Sequence, residues 1–401
     1  MIPAPASTRL LLRWALVLFT ITIVIGILNG TDLVTFDRNT QLTHLHAGTL
    51  GWITLAVLGA LLWVYDPDDA DRSGGRLLAA ASVAAIVLYI VGFWTGDRIL
   101  RPIAGSGALI PIVGGVVWAA RRTRGAGRDV PRRGLLLALV SLSIGGVLGI
   151  LLGLQRTGVI DWLSPGVAEA HPQLLFGGYM FLTGAVLAEW LLVGEDGSER
   201  HSRSGQVEIW LLFIAGLGLG VGFIIDVSVI ILLALPASVI PLAMIPTRMR
   251  RKIKNTTWRH PSESRFASAG VIWLVAGFVL LGYLSVAYPE GFPTRPARAF
   301  THAIFVGAMT NVLLGVVRLA SRRKPSTGLG QWIYWGVNGG LVVFFLGLLA
   351  DSNPLIRVGT PILGAALLTA IIVHFAGLGA AGSTTEDWPT ADSLETRNQG
   401  S

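Results

Sequence analysis

The sequence predicts an all-α integral membrane protein whose twelve transmembrane helices form three similar units of four helices each. The chain has 401 residues, of which 52% are hydrophobic and only 13% are charged, whereas a soluble domain carries about 25% charged residues. Its apolar stretches are long enough to supply the ~20 residues that a helix needs to cross a bilayer. A histidine also recurs at the start of every fourth stretch, beginning with the second.

The apolar stretches predict twelve spans, and the seventh and eighth are separated only by a tight turn around Asp226. The spans lie near residues 10–29, 43–64, 76–94, 102–120, 134–154, 170–193, 207–225, 227–246, 266–287, 299–320, 331–350 and 355–378. We therefore treat 1–379 as one polytopic membrane domain, with approximate repeats 1–133, 134–265 and 266–379. Residues 380–401 are polar and acidic, which is typical of a disordered tail, here on the cytoplasmic side.

Basic residues are concentrated in the connections that follow spans four, eight and ten. They are Arg121, Arg122, Arg124, Arg128, Arg132, Arg133, Arg248, Arg250, Arg251, Lys252, Lys254, Arg259, Arg265, Arg318, Arg322, Arg323 and Lys324. Lysine and arginine favour the cytoplasmic side, whereas acids, as in the loop 66–72, contribute little to orientation. The sequence thus predicts a multi-pass protein of a prokaryotic cytoplasmic membrane with both termini in the cytoplasm, so that spans two, six and ten begin outside.

Composition also limits the chemistry and the partners. The chain has no cysteine, which excludes disulfides, thiolate ligands, iron–sulfur clusters and covalent c-type haem attachment. The net charge of +8 lies mostly in short loops, where it is a topology signal. We therefore expect membrane lipid, and no nucleic acid, as a partner.

Three histidines precede a glycine by thirteen residues. The pairs are His46 and Gly59, His171 and Gly184, and His302 and Gly315, and the histidines are 125 and 131 residues apart. A nearer glycine recurs at Gly51, Gly177 and Gly307. Ionisable residues within a membrane are costly and usually functional, and imidazole is the commonest metal ligand. The spacing therefore predicts a haem or metal site that is shared by three similar units.

The same residues resemble a known architecture. Twelve helices with ligand histidines on the second, sixth and tenth resemble subunit I of the haem–copper oxidases. Within that superfamily, the local sequence is most similar to NnrS-type membrane proteins, which carry haem and copper and are linked to nitric oxide stress. Their second helix has a His-x-His motif, which here is His44-Leu45-His46. Their pattern R-A-W-L-H-A-L-T-V-G-A is similar to the stretch from Arg298 to Ala308.

The resemblance implies a b-type haem held by His46 and His302. Arg298 precedes His302 by one helical turn, so its guanidinium could pair with a haem propionate; an ordinary interfacial arginine is the alternative. His44 and His46 point about 160° apart on a helix, so that His44 is a candidate metal or supporting residue, and which of the two faces the site stays open.

His171 belongs to a copper site or a second haem site in this comparison. Copper would need further nitrogen or sulfur ligands, for which His44, Met180 and Met309 are candidates. The alternative is a surface imidazole that is hydrogen-bonded to Glu169 or Tyr179. His374 is expected to be structural, and Asn311 and Asn338 are expected to form interhelical hydrogen bonds.

The chain also departs from a complete oxidase. The seventh span reads Gly222-Phe223-Ile224-Ile225-Asp226 where an oxidase has a histidine pair, and position 175 is leucine where many oxidases have tyrosine. Glu189 lies near the cytoplasmic end of its span, whereas a proton pump needs buried carriers. Whether the chain is an enzyme stays open; an enzyme of this kind would be an oxidoreductase, but not a complete proton-pumping terminal oxidase.

The first hypothesis for function is a haem-binding redox or gas-sensing protein, with copper as a second metal. Its ligand would be a diatomic gas, nitric oxide first, and its electron donor, a quinol or a cytochrome, is left open. A twelve-helix transporter is the second hypothesis, since glycine-rich spans and internal repeats also occur in carriers. The third is a cofactor-less scaffold subunit of a respiratory complex.

Overall fold

A computed structural model describes residues 3–65, 73–123, 129–194, 198–288 and 291–379. The expected tail at 380–401, the acidic loop 66–72, and the loop residues Arg124 and Arg128 lie outside the described residues. Within them, twelve helices are long and apolar enough to cross a membrane. The structure is thus that of an all-α, multi-pass membrane protein.

The helices agree with the predicted spans to within a few residues at most ends. Their bounds are α1 Ala6–Gly30, α2 Arg38–Tyr65, α3 Ser73–Trp94, α4 Leu100–Thr123, α5 Val130–Arg156, α6 Gly166–Val193, α7 Arg203–Ile224, α8 Ser228–Lys254, α9 Glu263–Ala287, α10 Thr294–Ala320, α11 Thr327–Leu349 and α12 Asn353–Gly379. Asp226 has a positive φ of 53°, which confirms the tight turn between the seventh and eighth helices. A short 3₁₀ turn, Ser198–His201, precedes α7.

The three histidine-bearing helices lie at the centre of the bundle. Between 83 and 89% of the apolar stretch is buried in α2, α6 and α10, against 31 to 50% in the other nine described helices. The outer helices pack in three groups. Helices α1, α11 and α12 cover the α2–α10 groove, α3, α4 and α5 cover the α2–α6 groove, and α7, α8 and α9 cover the α6–α10 groove.

Each central helix contains a π-helical segment that begins one to three residues after His46, His171 or His302. The segments are Ala47–Thr54 in α2, Leu174–Met180 in α6 and Ala303–Thr310 in α10. The hydroxyl groups of Thr54 and Thr310 each donate to the carbonyl five residues earlier, at 3.0 and 2.9 Å. π-Helical turns are rare and are frequently found at functional sites. Hydropathy alone gives no signal for them.

Polar contacts within and next to these segments hold the central helices together. The indole of Trp52 donates to Thr310 at 3.0 Å, which links α2 to α10, and Thr54 is 3.1 Å from the hydroxyl of Tyr179, which links α2 to α6. Asn311 and Asn338 exchange hydrogen bonds of 3.1 and 3.0 Å between α10 and α11. The predicted interhelical amide pair is therefore confirmed.

The end of the bundle opposite the histidines contains a buried ionic cluster. Arg248 of α8 donates to both carboxylate oxygens of Glu189, at 2.7 and 2.5 Å, and also to Glu208 at 3.1 Å. Both glutamates are about 1% exposed, so their charges depend on this arginine. Sequence reasoning placed Glu189 near that end of α6 but overlooked Glu208 on α7.

Candidate functional site

A large cavity opens between the N-terminal ends of the three central helices. Its volume is about 1220 Å³, and it is lined by His44, His46, His171 and His302. Typical pockets for drug-sized ligands have about 300–1,000 Å³, so this space suits a large ligand or two ligands. His374, by contrast, is buried near the C-terminal end of α12, where its Nδ1 is 3.1 Å from the hydroxyl of Ser321. It therefore belongs to the packing, as the sequence predicted.

The start of α2 places two histidines on opposite sides of one helix. Asp37 caps this helix and accepts a hydrogen bond from the backbone N–H of Thr40 at 2.8 Å. Hydrogen bonds with the Thr40 side chain and backbone lower the pKa of Asp37, and an anion here suits the positive end of the helix dipole. His44 and His46 follow within two turns, two residues apart, so their rings face different grooves.

All four lining histidines form the same kind of hydrogen bond. Nδ1 of His46 is 2.7 Å from the carbonyl of Leu42, and Nδ1 of His302 is 2.8 Å from the carbonyl of Arg298, both within the same helix. In the other two, the partner belongs to the preceding helix. Nδ1 of His44 is 2.9 Å from the carbonyl of Thr22, and Nδ1 of His171 is 2.8 Å from that of Gly145.

These contacts determine which ring nitrogen carries the proton. A carbonyl oxygen can only accept, so each neutral imidazole must carry its proton on Nδ1 and keep a lone pair on Nε2. None of the four Nε2 atoms has a hydrogen-bond partner among the described residues. Histidines that bind metals almost always donate the other ring N–H in this way, because the bond fixes the tautomer and orients the ring.

His46 and His171 face the α2–α6 groove. The ring of His46 stacks on Phe93 of α3, with centroids 3.9 Å apart and planes inclined by 15°. The ring of His171 lies against Gly149 of α5, where a β-carbon would be 2.9 Å from Cε1 of the imidazole. The two rings are also close enough to interact electrostatically. These two histidines are thus neighbours across one lobe of the cavity.

His44 and His302 face the α2–α10 groove. The ring of His44 packs on Gly26 of α1, where a β-carbon would be 3.2 Å from Cε1. The ring of His302 lies 4.9 Å from that of Phe344 on α11, and it is within electrostatic range of His44. His44 and His302 therefore face the same groove, whereas His46, which the resemblance pairs with His302, faces the other. The reason is the rotation of α2, which turns His46 towards α3.

The cavity mouth is strongly positive. Six arginines line it, which we call the arginine rim: Arg38, Arg98, Arg101, Arg156, Arg295 and Arg298. Among the described lining residues the single carboxylate is that of Asp32, and it is paired with Arg357 at 2.9 Å. Arg298, the predicted propionate partner, is on this rim and is exposed. The rim therefore suits a ligand that carries several negative charges at the mouth.

Sequence reasoning overlooked most of the arginine rim and the two glycines that face the imidazoles. Gly149 lies in a run with Gly145 and Gly153 at four-residue spacing, which by itself is typical of a helix-packing surface. The sequence does carry one signal for the arginine rim, which is its position: these arginines lie at the same ends of the predicted helices as the histidines. Net charge per loop does not show this, because they are spread over four separate connections.

The surroundings of His171 provide few ligands for a bare metal ion. Among the described residues, no group of three or more histidine, aspartate or glutamate side chains is positioned to hold one. Met180 lines the cavity, whereas Met309 is not among the described lining residues. The suggested partners of His171, Glu169 and Tyr179, form no hydrogen bond with it; Tyr179 contacts Thr54 instead.

The α6–α10 groove differs from the other two because aromatic rings fill it. Phe176 of α6 lies 5.5 Å from Phe300 and 5.1 Å from Phe305 of α10, measured between ring centroids. Within the described residues, the histidines of the cavity thus face only two of the three grooves.

No protein-family model matches this chain, and no curated protein is detectably similar to it.

Proposed function

We propose that this chain is a haem-binding redox protein of the membrane, with a b-type haem in the α2–α10 groove held by His44 and His302. The observation that carries the proposal is the hydrogen bond from Nδ1 of each ring to a carbonyl oxygen. That bond leaves both Nε2 lone pairs available in the same groove. Two preoriented imidazoles from different helices are what a six-coordinate haem needs.

The number of ligands also favours haem over a bare metal ion. A haem brings four nitrogen ligands with its macrocycle, so the protein has to supply only two. Copper would need three or more protein ligands of its own, and the described residues form no such group. Copper at His171 is therefore the weaker of the two cofactor proposals, also because His44, its suggested second ligand, faces the other groove.

The arginine rim fits the propionates of a haem. Guanidinium and carboxylate groups match in geometry and charge. Arg298 lies four residues before His302 and belongs to the rim, and Arg38 lies six residues before His44. These two arginines are our candidates for the propionate partners in this groove.

A bound haem would supply one-electron chemistry, and the protein would supply ligation and polarity. With His44 and His302 as the residues that would hold the haem, electron transfer from a quinol or a cytochrome is the activity that we propose. Binding of nitric oxide or another diatomic gas is the alternative that the resemblance to NnrS-type proteins suggests. The hydrogen bonds of His44 and His302 to carbonyl oxygens would keep both rings in place.

We further propose a threefold pseudo-repeat of four helices, similar to subunit I of the haem–copper oxidases. Its support is a recurring contact: Gly51, Gly178 and Gly307 each pack against the helix that precedes their own, where a β-carbon would approach Leu18, Ser141 and Trp273 within 2.8 Å. Each glycine lies inside a π-helical segment. Alignment on these glycines places Gln173, and not His171, at the position of His46 and His302. It therefore differs by two residues in the second unit from an alignment on the histidines.

For the location, we propose the cytoplasmic membrane of a prokaryote. The basic loops at the end opposite the histidines would face the cytoplasm, because lysine and arginine are retained on that side. The cavity and its arginine rim would then open towards the outer surface.

Haem content is the test of this proposal. The full chain is expressed with haem supplied, purified in detergent, and assayed for haem b per chain by the pyridine haemochrome method. We expect the wild-type protein to bind haem with a low-spin spectrum. His44→Ala and His302→Ala should have the same effect on it: the haem is lost or is converted to a form that binds carbon monoxide. His201→Ala, at the opposite end of the bundle, is the control. A folded protein that stays colourless would contradict the proposal and favour a transporter or scaffold.

A further inference from the structure

We infer that the chain binds a second haem in the α2–α6 groove, with His46 and His171 as its axial ligands. The inference rests on the proposed function, because it assumes that the cavity holds haem at all. It assigns a different ligand pair and a different groove from the first haem. It also accounts for all four lining histidines, of which one haem uses only two.

The first argument is that both grooves have the same construction. In each, one imidazole is bound to a carbonyl of the preceding helix and lies against a glycine four residues further along that helix. These sets are His44 with Thr22 and Gly26, and His171 with Gly145 and Gly149.

The opposite imidazole of each groove is held by its own helix. Nδ1 of His302 is 2.8 Å from the carbonyl four residues before it, and Nδ1 of His46 is 2.7 Å from the corresponding carbonyl. The arrangement that supports the first haem is therefore repeated bond for bond in the α2–α6 groove. A single imidazole at the membrane surface would need neither the glycine nor the opposed partner.

The second argument comes from the α6–α10 groove, where this construction is missing. The three units can be aligned on Gly51, Gly178 and Gly307. In this alignment Phe300 takes the position of His44 and His171. Leu281 takes the position of Gly26 and Gly149 on the preceding helix. Gln173 takes the place of His46 and His302. Aromatic rings fill that groove. The two histidines, the glycine beside one of them and the open cavity are thus present together in two grooves and absent together from the third. This is expected if all three features serve to bind one ligand.

The third argument is charge. Arg101 and Arg156 of the arginine rim belong to α4 and α5, which cover the α2–α6 groove, and both are close enough to His46 to interact electrostatically. Arg101 is oriented by Asn39, which accepts its hydrogen bond at 2.8 Å, and its guanidinium lies 4.7 Å from the ring of Phe93. The groove thus offers two cations to two propionates, as the α2–α10 groove does.

The consequence is a protein with two haems on either side of one helix. Their ligands on α2, His44 and His46, are separated by a single residue. Because these two residues are so near in the chain, the two haems that they would hold would lie close to each other. The two haems would therefore share electrons near one membrane surface and would not carry them across the membrane.

The experiment is a haem count on the full chain combined with low-temperature electron paramagnetic resonance of the ferric protein. We expect two haems per chain and two low-spin signals. His46→Ala and His171→Ala should each abolish the same signal, and His44→Ala and His302→Ala should each abolish the other. The double variant His171→Ala/His302→Ala should lose both signals, whereas His201→Ala should keep both.

Three other results would separate this inference from the proposed function. One haem per chain, with a signal that His171→Ala leaves unchanged, overturns the second site and leaves the first intact. One haem whose signal requires His46 together with His302 overturns the pairing deduced from the contacts. A folded wild-type chain that binds no haem contradicts both proposals.

Discussion

Gly149 is in contact with the imidazole of His171, and this contact leaves no room for a side chain. A β-carbon at this position would be 2.9 Å from Cε1 and 3.3 Å from Nδ1 of the ring. Because Nδ1 is held 2.8 Å from the carbonyl of Gly145 on the same helix, the ring cannot move away without breaking that bond. The glycine therefore helps to set the position of Nε2.

We accordingly predict that Gly149→Ala disturbs the haem of the α2–α6 groove and no other. The added methyl group should displace His171, so that about half of the bound haem is lost or becomes able to bind carbon monoxide. Haem content and optical spectra of the purified variant measure this. Gly107→Ala is a suitable control, because the new β-carbon on the neighbouring α4 would meet no atom within 4 Å. Equal losses in the two variants would show that Gly149 serves only general packing.

Arg156 provides a second prediction, which concerns the redox potential. It lies at the end of α5, lines the cavity, and interacts electrostatically with both His46 and His171. A nearby cation favours the reduced haem, which carries one positive charge fewer than the oxidised one. Arg156→Gln should therefore lower the midpoint potential of one haem by an amount on the order of 20–50 mV, given a partly screened charge.

A potentiometric titration followed at the Soret band measures this change. Arg250→Gln, which removes an exposed arginine at the opposite end of the bundle, should leave both potentials unchanged. A shift of the same size in that control would point to a general effect of net charge. An increase in potential would argue against a haem beside Arg156.

The spans of the fold could be predicted from sequence because they depend on one-dimensional properties. Length and apolar content define a membrane helix, and even the short turn at Asp226 was found this way. The central position of α2, α6 and α10 followed from their histidines. The pairing of the histidines did not follow, because it depends on the rotation of each helix about its axis, which no repeat spacing determines.

The π-helical segments give a register for the proposed repeat that differs from the alignment on the histidines. His46 and His302 lie one residue before their segments, but His171 lies three residues before its own. The thirteen-residue spacing to a glycine makes His46, His171 and His302 look equivalent. In the repeat that we propose, His171 is instead the counterpart of His44, since both bind a carbonyl of the preceding helix. A backbone register of this kind is not visible in residue types.

The final prediction concerns the ionic cluster at the opposite end of the bundle. Arg248 is the shared ion-pair partner of Glu189 and Glu208, which are both about 1% exposed. Removing one partner of a buried ion pair leaves an uncompensated charge and typically costs about 3–5 kcal/mol. Arg248→Met should therefore lower the thermal stability of the detergent-solubilised protein markedly, whereas Arg250→Met, next to it but exposed, should not. The triple variant with Glu189→Gln and Glu208→Gln should recover much of the loss, because the buried charges are gone. If the triple variant is no more stable than Arg248→Met alone, the loss arises from side-chain packing and not from the unpaired carboxylates.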